Sequence, residues 1–309
     1  MLNAAPVRTG SFSNLRIERF AIFRLIPLLA VVFVLLAACG GSSRTTVPTW
    51  VPTSTAPATG IPPLASTPVA FDLSPLELLK QSTEVMAAIK SFRSHTEIDG
   101  TVLGEKVNIS MDMELDGNNG MHSAMRVNGP DGIVTIEQII KSPNLFINIS
   151  GVGDGWMRMG IEEAAREAGV SVEVLTEPAE FALSLFPGDR VPWDLYTVRS
   201  AGYEVMDGIR TQRLTISVDF QELWERLDDE ARRQLAQGMG PLGNSLIEDG
   251  MGSAEYKDIE IWVDDQGRMR RTVMSLLIGE EMQISTDMRL TDIDSSIIIE
   301  EPSDYQDLR

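Results

Sequence analysis

The chain has 309 residues, with 26 Lys and Arg against 45 Asp and Glu and a formal net charge of −19 at pH 7. Arg8, Arg16, Arg19, Arg24 and one acid, Glu18, fall in the first 38 residues, which leaves 22 basic and 44 acidic residues beyond them, a net −22. That balance excludes nucleic acid, whose binding rests on Lys and Arg at phosphates, and a body lying flat on an anionic membrane; it describes a soluble, self-repelling body.

The N-terminal stretch comes first in the chain and sets the rest. Arg16, Arg19 and Arg24 precede an apolar run from Leu25 to Ala38, and Leu36-Ala37-Ala38 leads into Cys39 and Gly40-Gly41-Ser42-Ser43. A basic front, a short apolar middle and small residues at a cut site describe a secretory signal. The run is shorter than the roughly 20 apolar residues of a membrane-spanning helix. Cys39, the one cysteine of the chain, stands where the bacterial lipobox requires a thiol. The motif resembles that lipobox, which implies a thiolate nucleophile that takes a diacylglycerol before the chain is cut ahead of it. Residues 1–38 are therefore expected to be a lipoprotein signal peptide, with Cys39 the lipid attachment point. A single cysteine allows no disulfide within the chain, so the fold rests on its core.

Residues 39–70 carry Pro48, Pro52, Pro57, Pro62, Pro63 and Pro68 among Thr, Ser, Ala and Gly, with Arg44 the one charge. Such a segment buries too little to fold and reads as a semi-extended tether. At about 3 Å per residue it reaches several tens of ångströms from a bilayer. Residues 71–309 are the folded part, large enough for a sizeable core.

Ser74, Pro75 and Glu77 spell a helix start with a capping box. Leu76, Leu79, Met86, Ile89 and Phe92 continue it at helical spacing. Glu105–Leu115 alternates strictly, Val107, Ile109, Met111, Met113 and Leu115 against polar residues, and predicts a strand with one apolar face. Asp116-Gly117-Asn118-Asn119-Gly120 is a hairpin turn. Met121–Asn128, Ile133–Ile140 and Leu145–Ile149 extend an antiparallel meander. Ile161–Ala168 and Pro178–Leu185 are helical in composition. Tyr196–Met206 and Ile209–Val218 are strands around an Asp207-Gly208 turn. Phe220–Gln237 is a longer amphipathic helix, and Gly238–Gly252 a Gly-rich loop. Ala254–Val263, Met269–Ile278 and Met282–Leu290 are three further strands, and Ile297–Ile299 a final edge strand. The fold class expected is α+β: a single curved antiparallel β-sheet of about ten strands, a half-barrel wrapped over a few α-helices.

Four stretches in this order carry a family resemblance: the Leu76–Phe92 helix running into Ser94–Ile98; Tyr203–Leu214 around Asp207-Gly208; Ile259–Met269 with Trp262 and Asp264-Asp265-Gln266-Gly267; and Met288–Asp292 followed by Ile297–Pro302. Behind a lipobox, they resemble the LppX/LprAFG lipoproteins, which are similar in fold to the LolA and LolB lipoprotein carriers. The resemblance covers about Leu73 to Asp304. It implies a curved antiparallel sheet over helices, a hydrophobic cavity that holds acyl chains, and the carriage of lipids or lipidated molecules outside the membrane. It supplies no catalytic signature.

The residues themselves offer little chemistry. His95 and His122 sit in no metal-ligand spacing, and His122 falls on the polar side of its strand. No Gly-x-Ser-x-Gly elbow is present. Asp112–Gly117 starts like a calcium loop, but Ser123 stands where the closing Glu belongs. Gly151–Gly155 lacks the helix and Lys of a phosphate loop. An enzyme is not expected, nor a metal or cofactor. The informative residue is methionine, of which there are 15. Unbranched and polarisable, it conforms to irregular apolar guests. Leu79, Met86, Ile109, Met111, Met113, Met121, Met125, Met274 and Met282 are the candidate lining of an acyl cavity, and Met288 shares the pattern. The same side chains serve equally to fill a core. The expectation is a membrane-anchored lipoprotein on the extracytoplasmic side, with a lipid or acylated ligand, an envelope transport partner and no nucleic acid. The alternative is a non-transporting surface sensor or envelope scaffold with a filled barrel.

Overall fold

A computed structural model of the chain describes residues 73–102, 105–117, 120–129, 132–150, 155–168, 172, 192–226, 229, 254–278 and 282–308. Cys39, its signal and tether, the Pro178–Leu185 stretch and the Gly238–Gly252 loop lie outside these residues.

The predicted capping box opens the first helix, α1 (Pro75–Ala88). The Ser74 N–H donates to Glu77 Oε2 at 3.0 Å and the Glu77 N–H returns to Ser74 Oγ at 3.3 Å. These bonds satisfy donors that a helix start leaves open, and the Ser74 hydroxyl, donating to Glu77 Oε2 at 2.7 Å, together with the Ser74 N–H lowers the Glu77 carboxyl from its ordinary value. The helix stops at Ala88 because Ile89 turns extended. Phe92, expected to close its apolar stripe, instead opens a strand, β1 (Phe92–Val102). The strands that follow are β2 (Glu105–Leu115), β3 (Met121–Gly129), β4 (Gly132–Lys141), β5 (Asn144–Ile149) and β6 (Trp156–Gly160). Helix α2 (Ile161–Ala168) comes next, and after a short 3₁₀ turn at Trp193–Leu195 the strands β7 (Tyr196–Met206) and β8 (Ile209–Val218). Helix α3 (Phe220–Arg226) precedes β9 (Ala254–Asp264), β10 (Met269–Ile278), β11 (Met282–Thr291) and β12 (Tyr305–Asp307).

All twelve strands join one open, curved sheet in the order β12-β6-β5-β4-β3-β2-β1-β11-β10-β9-β8-β7. Every pairing is antiparallel except β12 with β6. The expected α+β architecture holds, with twelve strands rather than about ten. Asp207 and Gly208, both at positive φ, make the tight turn between β7 and β8 that an Asp-Gly pair favours. A bulge at Ser200/Gly202 shifts the register within the same hairpin, with Gly202 at φ 107°. The 116–120 turn closes by a bond from the Gly120 N–H to Asp116 Oδ1 at 2.7 Å, a strand-and-turn device rather than a calcium loop.

One correction concerns the C-terminus. Ile297–Ile299 forms no strand. Ile297 and Ile299 are buried and Ile298 points to solvent. They pack with Ile139, Phe146 and Trp156 on the sheet face opposite the main core. The Lys141 Nζ donates to the Ile299 carbonyl at 2.9 Å. The edge is supplied further on by β12, where Tyr305 meets Phe146 edge-to-face at 5.3 Å and lies under the Arg158 guanidinium at 4.5 Å.

Candidate functional site

Period-two alternation splits every strand between two faces. One row of cross-strand partners runs through Ser200, Leu214, Ile261, Thr272, Met288, Thr96, Met111, Met125, Ile136 and Ile149, from β7 to β5. This is the apolar face. The neighbouring row through Arg271, Arg289, His95, Asp112, Ala124, Glu137 and Asn148 belongs to the polar face.

The apolar face holds two clusters. The first gathers Ile98, Ile109, Met111, Met125, Ile136, Ile140, Leu145, Ile147, Ile149 and Met159 beneath Ile161 and Ala164 of α2, with Met121 packed at its border. The second gathers Leu214, Ile216, Ile259, Ile261, Val263, Met269, Met274 and Leu290 with Leu78 and Leu79 of α1, and half-buried Met86 and Met288 join it. The helices thus sit at the two flanks, α2 against β5 and β6 and α1 against β7.

The predicted lining residues divide accordingly. Ile109, Met111, Met121 and Met125 fall in the first cluster, and Leu79, Met86 and Met274 in the second. Met86 Sδ accepts the Met269 N–H at 3.3 Å, which ties α1 to β10. Met113 is buried between Ser94 and Ser123 in the register. Met282 pairs with Val102 and Ile278, and its side chain lies outside the described residues. Cys39 lies outside them as well.

Between the clusters runs β1, and here the sequence reading missed the informative residues. Ser94 and Thr96 face the apolar side, 5% and 1% exposed, and Ser82 of α1 is wholly buried. Among the described residues, none of these three hydroxyls has a hydrogen-bond partner. Ser94 is flanked by Met113 and Leu290, Thr96 by Met111 and Met288. From Phe92 to Ile98 and from Val107 to Leu115 this face carries no charged residue. A seam of hydroxyls among thioethers therefore joins two aliphatic cores. Chemically, such a seam combines adaptable apolar side chains with O–H donors that suit an uncharged acceptor. Among the described residues of this face between Phe92 and Ile98 and between Val107 and Leu115, no side chain is a base that would activate a nucleophile.

The polar face is a charge lattice. Arg93 bridges Glu114 at 2.7 Å and Asp292 at 2.8 Å. His95 lies between Asp112 at 2.7 Å and Glu97 at 3.0 Å, and the Asp112 hydrogen bond raises its pKa from the ordinary value. His122 stays on this face, half-buried beside Glu114. Trp262 is buried beneath two guanidinium groups, Arg213 at 5.3 Å and Arg271 at 4.8 Å, and its Nε1–H donates to Glu204 at 2.9 Å. Arg213 also pairs with Glu260. Among the described residues no group of three or more His, Cys, Asp or Glu is arranged to hold a metal ion, and no helix is long and apolar enough to cross a membrane.

The chain is similar to the solved structure of the lipoprotein LppX of Mycobacterium tuberculosis, at 14% identity and a TM-score of 0.40, over 73% of this chain and 97% of that one. It is similar to LprF from Mycobacterium bovis, at 12% identity and a TM-score of 0.43, over 74% and 96% of the two chains. It is also similar to a LolA superfamily protein from Nitrosomonas europaea, at 12% identity and a TM-score of 0.23, over 74% and 96%. No family model and no curated protein matches the chain.

Proposed function

We propose that this chain is a membrane-anchored lipoprotein that binds and carries lipids or lipidated molecules against the apolar face of its sheet. The observation that carries the reading is the methionine-flanked seam on β1, where adaptable thioethers rather than interlocked aliphatic side chains line the middle of a large apolar face. Cys39 anchors the chain through its diacylglycerol, residues 39–70 give it reach, and the acidic body stays off the anionic membrane. Acyl burial contributes about 0.8 kcal/mol per CH₂, so a ten-carbon stretch is held by about 8 kcal/mol before the ordering cost. Release then calls for a receiving membrane or an envelope partner.

A second reading has its own support. Leu78 of α1 and Leu214, Ile261 and Val263 beneath it are wholly buried, as in a filled barrel of a surface sensor or envelope scaffold. Native mass spectrometry of the processed chain, purified from bacterial membranes in detergent-free nanodiscs, separates the two. Mass that disappears on organic extraction and proves to be lipid, beyond the Cys39 anchor, supports the carrier. A bare anchored mass with no uptake of added acyl lipid overturns it. Incorporation of labelled palmitate that is lost in Cys39→Ser tests the anchor.

A further inference from the structure

On the carrier reading, we propose that the Ser94 and Thr96 hydroxyls of β1 form a polar seat for the ester carbonyls of a neutral acyl lipid. A buried hydroxyl without a partner destabilises a fold by about 1–3 kcal/mol. Two such groups, Ser94 and Thr96, share the apolar side of one strand. Val or Ala in their place would pack the same volume at no such cost. The hydroxyls therefore answer to something the folded chain alone does not supply.

The surroundings select the chemistry of that partner. Each hydroxyl has one hydrogen bond to donate among otherwise apolar side chains, which suits a carbonyl oxygen held between hydrocarbon chains. A phosphate or free carboxylate would need a cation, and this stretch of the face carries none. The guanidinium groups of Arg93, Arg271 and Arg289 belong to the opposite face. Ser94 and Thr96 are two residues apart on one side of β1, so their donors stand about 6–7 Å apart along the strand, a spacing that two esters of one glycerolipid can span. Methionines stand beside them on both neighbouring strands: Met111 and Met113 on β2, Met288 on β11. These thioethers give the acyl chains a surface that reshapes around them.

The test is a competition on the full processed chain in nanodiscs, offered equal amounts of dioleoylglycerol and its diether analogue, which lacks both carbonyls. Native mass spectrometry counts the two adducts side by side. The wild-type chain is expected to take the diester about tenfold over the diether, a factor equal to 1.4 kcal/mol. Combining Ser94→Ala with Thr96→Val should bring the ratio to about one while diether uptake persists. Thr96→Ser should keep the preference, because it keeps the donor. Thr96→Val should leave the melting temperature of the lipid-free chain unchanged or raised, which guards against a folding defect. A double variant that still prefers the diester tenfold overturns the seat and leaves the carrier standing, as does a wild-type chain that takes both lipids equally. A chain that takes neither lipid overturns the carrier reading and the seat with it.

Discussion

The apolar face of this sheet is built in two ways. Under α1, the apolar side chains that β8 and β9 bury are Leu, Ile and Val, with Leu214, Ile261 and Val263 wholly buried, and Met269 and Met274 of β10 join them at the border. Across β1–β3 the same pleat carries Met111, Met113, Met121 and Met125 with Ser94, Thr96 and Ser123. The first region has the composition of a close-packed interior, where shape complementarity fixes one arrangement. The second has side chains that change shape at little cost, and at Ser94 and Thr96 hydroxyls that no described residue satisfies. One continuous sheet thus serves as a rigid base on one side and as an adaptable surface towards the other. Function is to be sought on the adaptable side, and stability on the rigid one.

The comparison breaks first, and most visibly, at Ile261. Ile261→Ala removes a wholly buried side chain from beneath α1 and is expected to destabilise the chain by about 3–4 kcal/mol, read from the midpoint of urea unfolding. Met111→Ala on the other side should lose clearly less, because flexible neighbours close around the gap. Equal losses at the two sites would mean that both regions are ordinary core. Next in size is Asp264, at the end of β9 in the rigid half. Its wholly buried carboxylate takes the N–H groups of Gln266 and Arg268 at 2.9 Å each and the Nε–H groups of Arg268 at 2.9 Å and Arg270 at 2.8 Å. Asp264→Asn removes the charge that both arginines face and should destabilise by about 2–3 kcal/mol. An unchanged unfolding midpoint would show that the β9–β10 turn does not depend on that carboxylate.

A smaller and more pointed contrast is Met111→Leu. The swap conserves volume and should change stability by less than about 1.5 kcal/mol. It replaces an unbranched, conforming side chain with a branched one beside Thr96, so acyl uptake in the nanodisc assay should fall several-fold. Leu79→Met, the reverse exchange beneath α1, should leave uptake unchanged. If the two exchanges act alike on uptake, the division of the face into a rigid and an adaptable side is wrong.

Why this division was half legible follows from what each strand shows in its sequence. The Glu105–Leu115 strand and both strands around Asp207-Gly208 were found to the residue, because an apolar/polar alternation and a turn with a fixed chemistry mark them. β1 was not recognised as a strand. Its inward positions between Phe92 and Ile98 are Ser94 and Thr96, so the hydrophobic period is interrupted where the site lies. The signal available was the other period: Arg93, His95, Glu97 and Asp99 put an ionisable group at every second position. β6 was missed because Trp156–Gly160 is five residues long and its pairing is set by β5 and β12, which no local pattern reports. Ile297–Ile299 read as a strand because consecutive isoleucines favour one. The outer surface of β4 and β5 claimed two of them as a cover instead. The methionines could be assigned to a face from sequence, but their division between the two clusters depends on where α1 and α2 land.

The smallest expected effect concerns the outside of β1 and checks that its two faces act separately. His95 sits between Ser94 and Thr96 in sequence and faces the opposite side, with Asp112 and Glu97 bonded to its two ring nitrogens and Arg93 and Arg289 sharing the face. The Asp112 hydrogen bond, which stabilises the imidazolium, is the largest cause of its raised pKa; partial burial works against it. A folded-state pKa above the unfolded value of about 6.5 means that protonation favours the fold. The contribution is complete below about pH 6.5 and is lost as pH rises through the raised folded value. His95 is about half exposed, at 47% of its side-chain surface, so solvent screening holds the effect to about 0.5 kcal/mol. His95→Gln should therefore destabilise the chain slightly at pH 5.5 and not at pH 8.5, as urea midpoints at the two pH values will show. The diester preference should be the same in wild type and variant at both. A lipid preference that follows His95 protonation would mean that charge on the polar face reaches through β1 to the seam, and the two faces of the strand would have to be treated as one site.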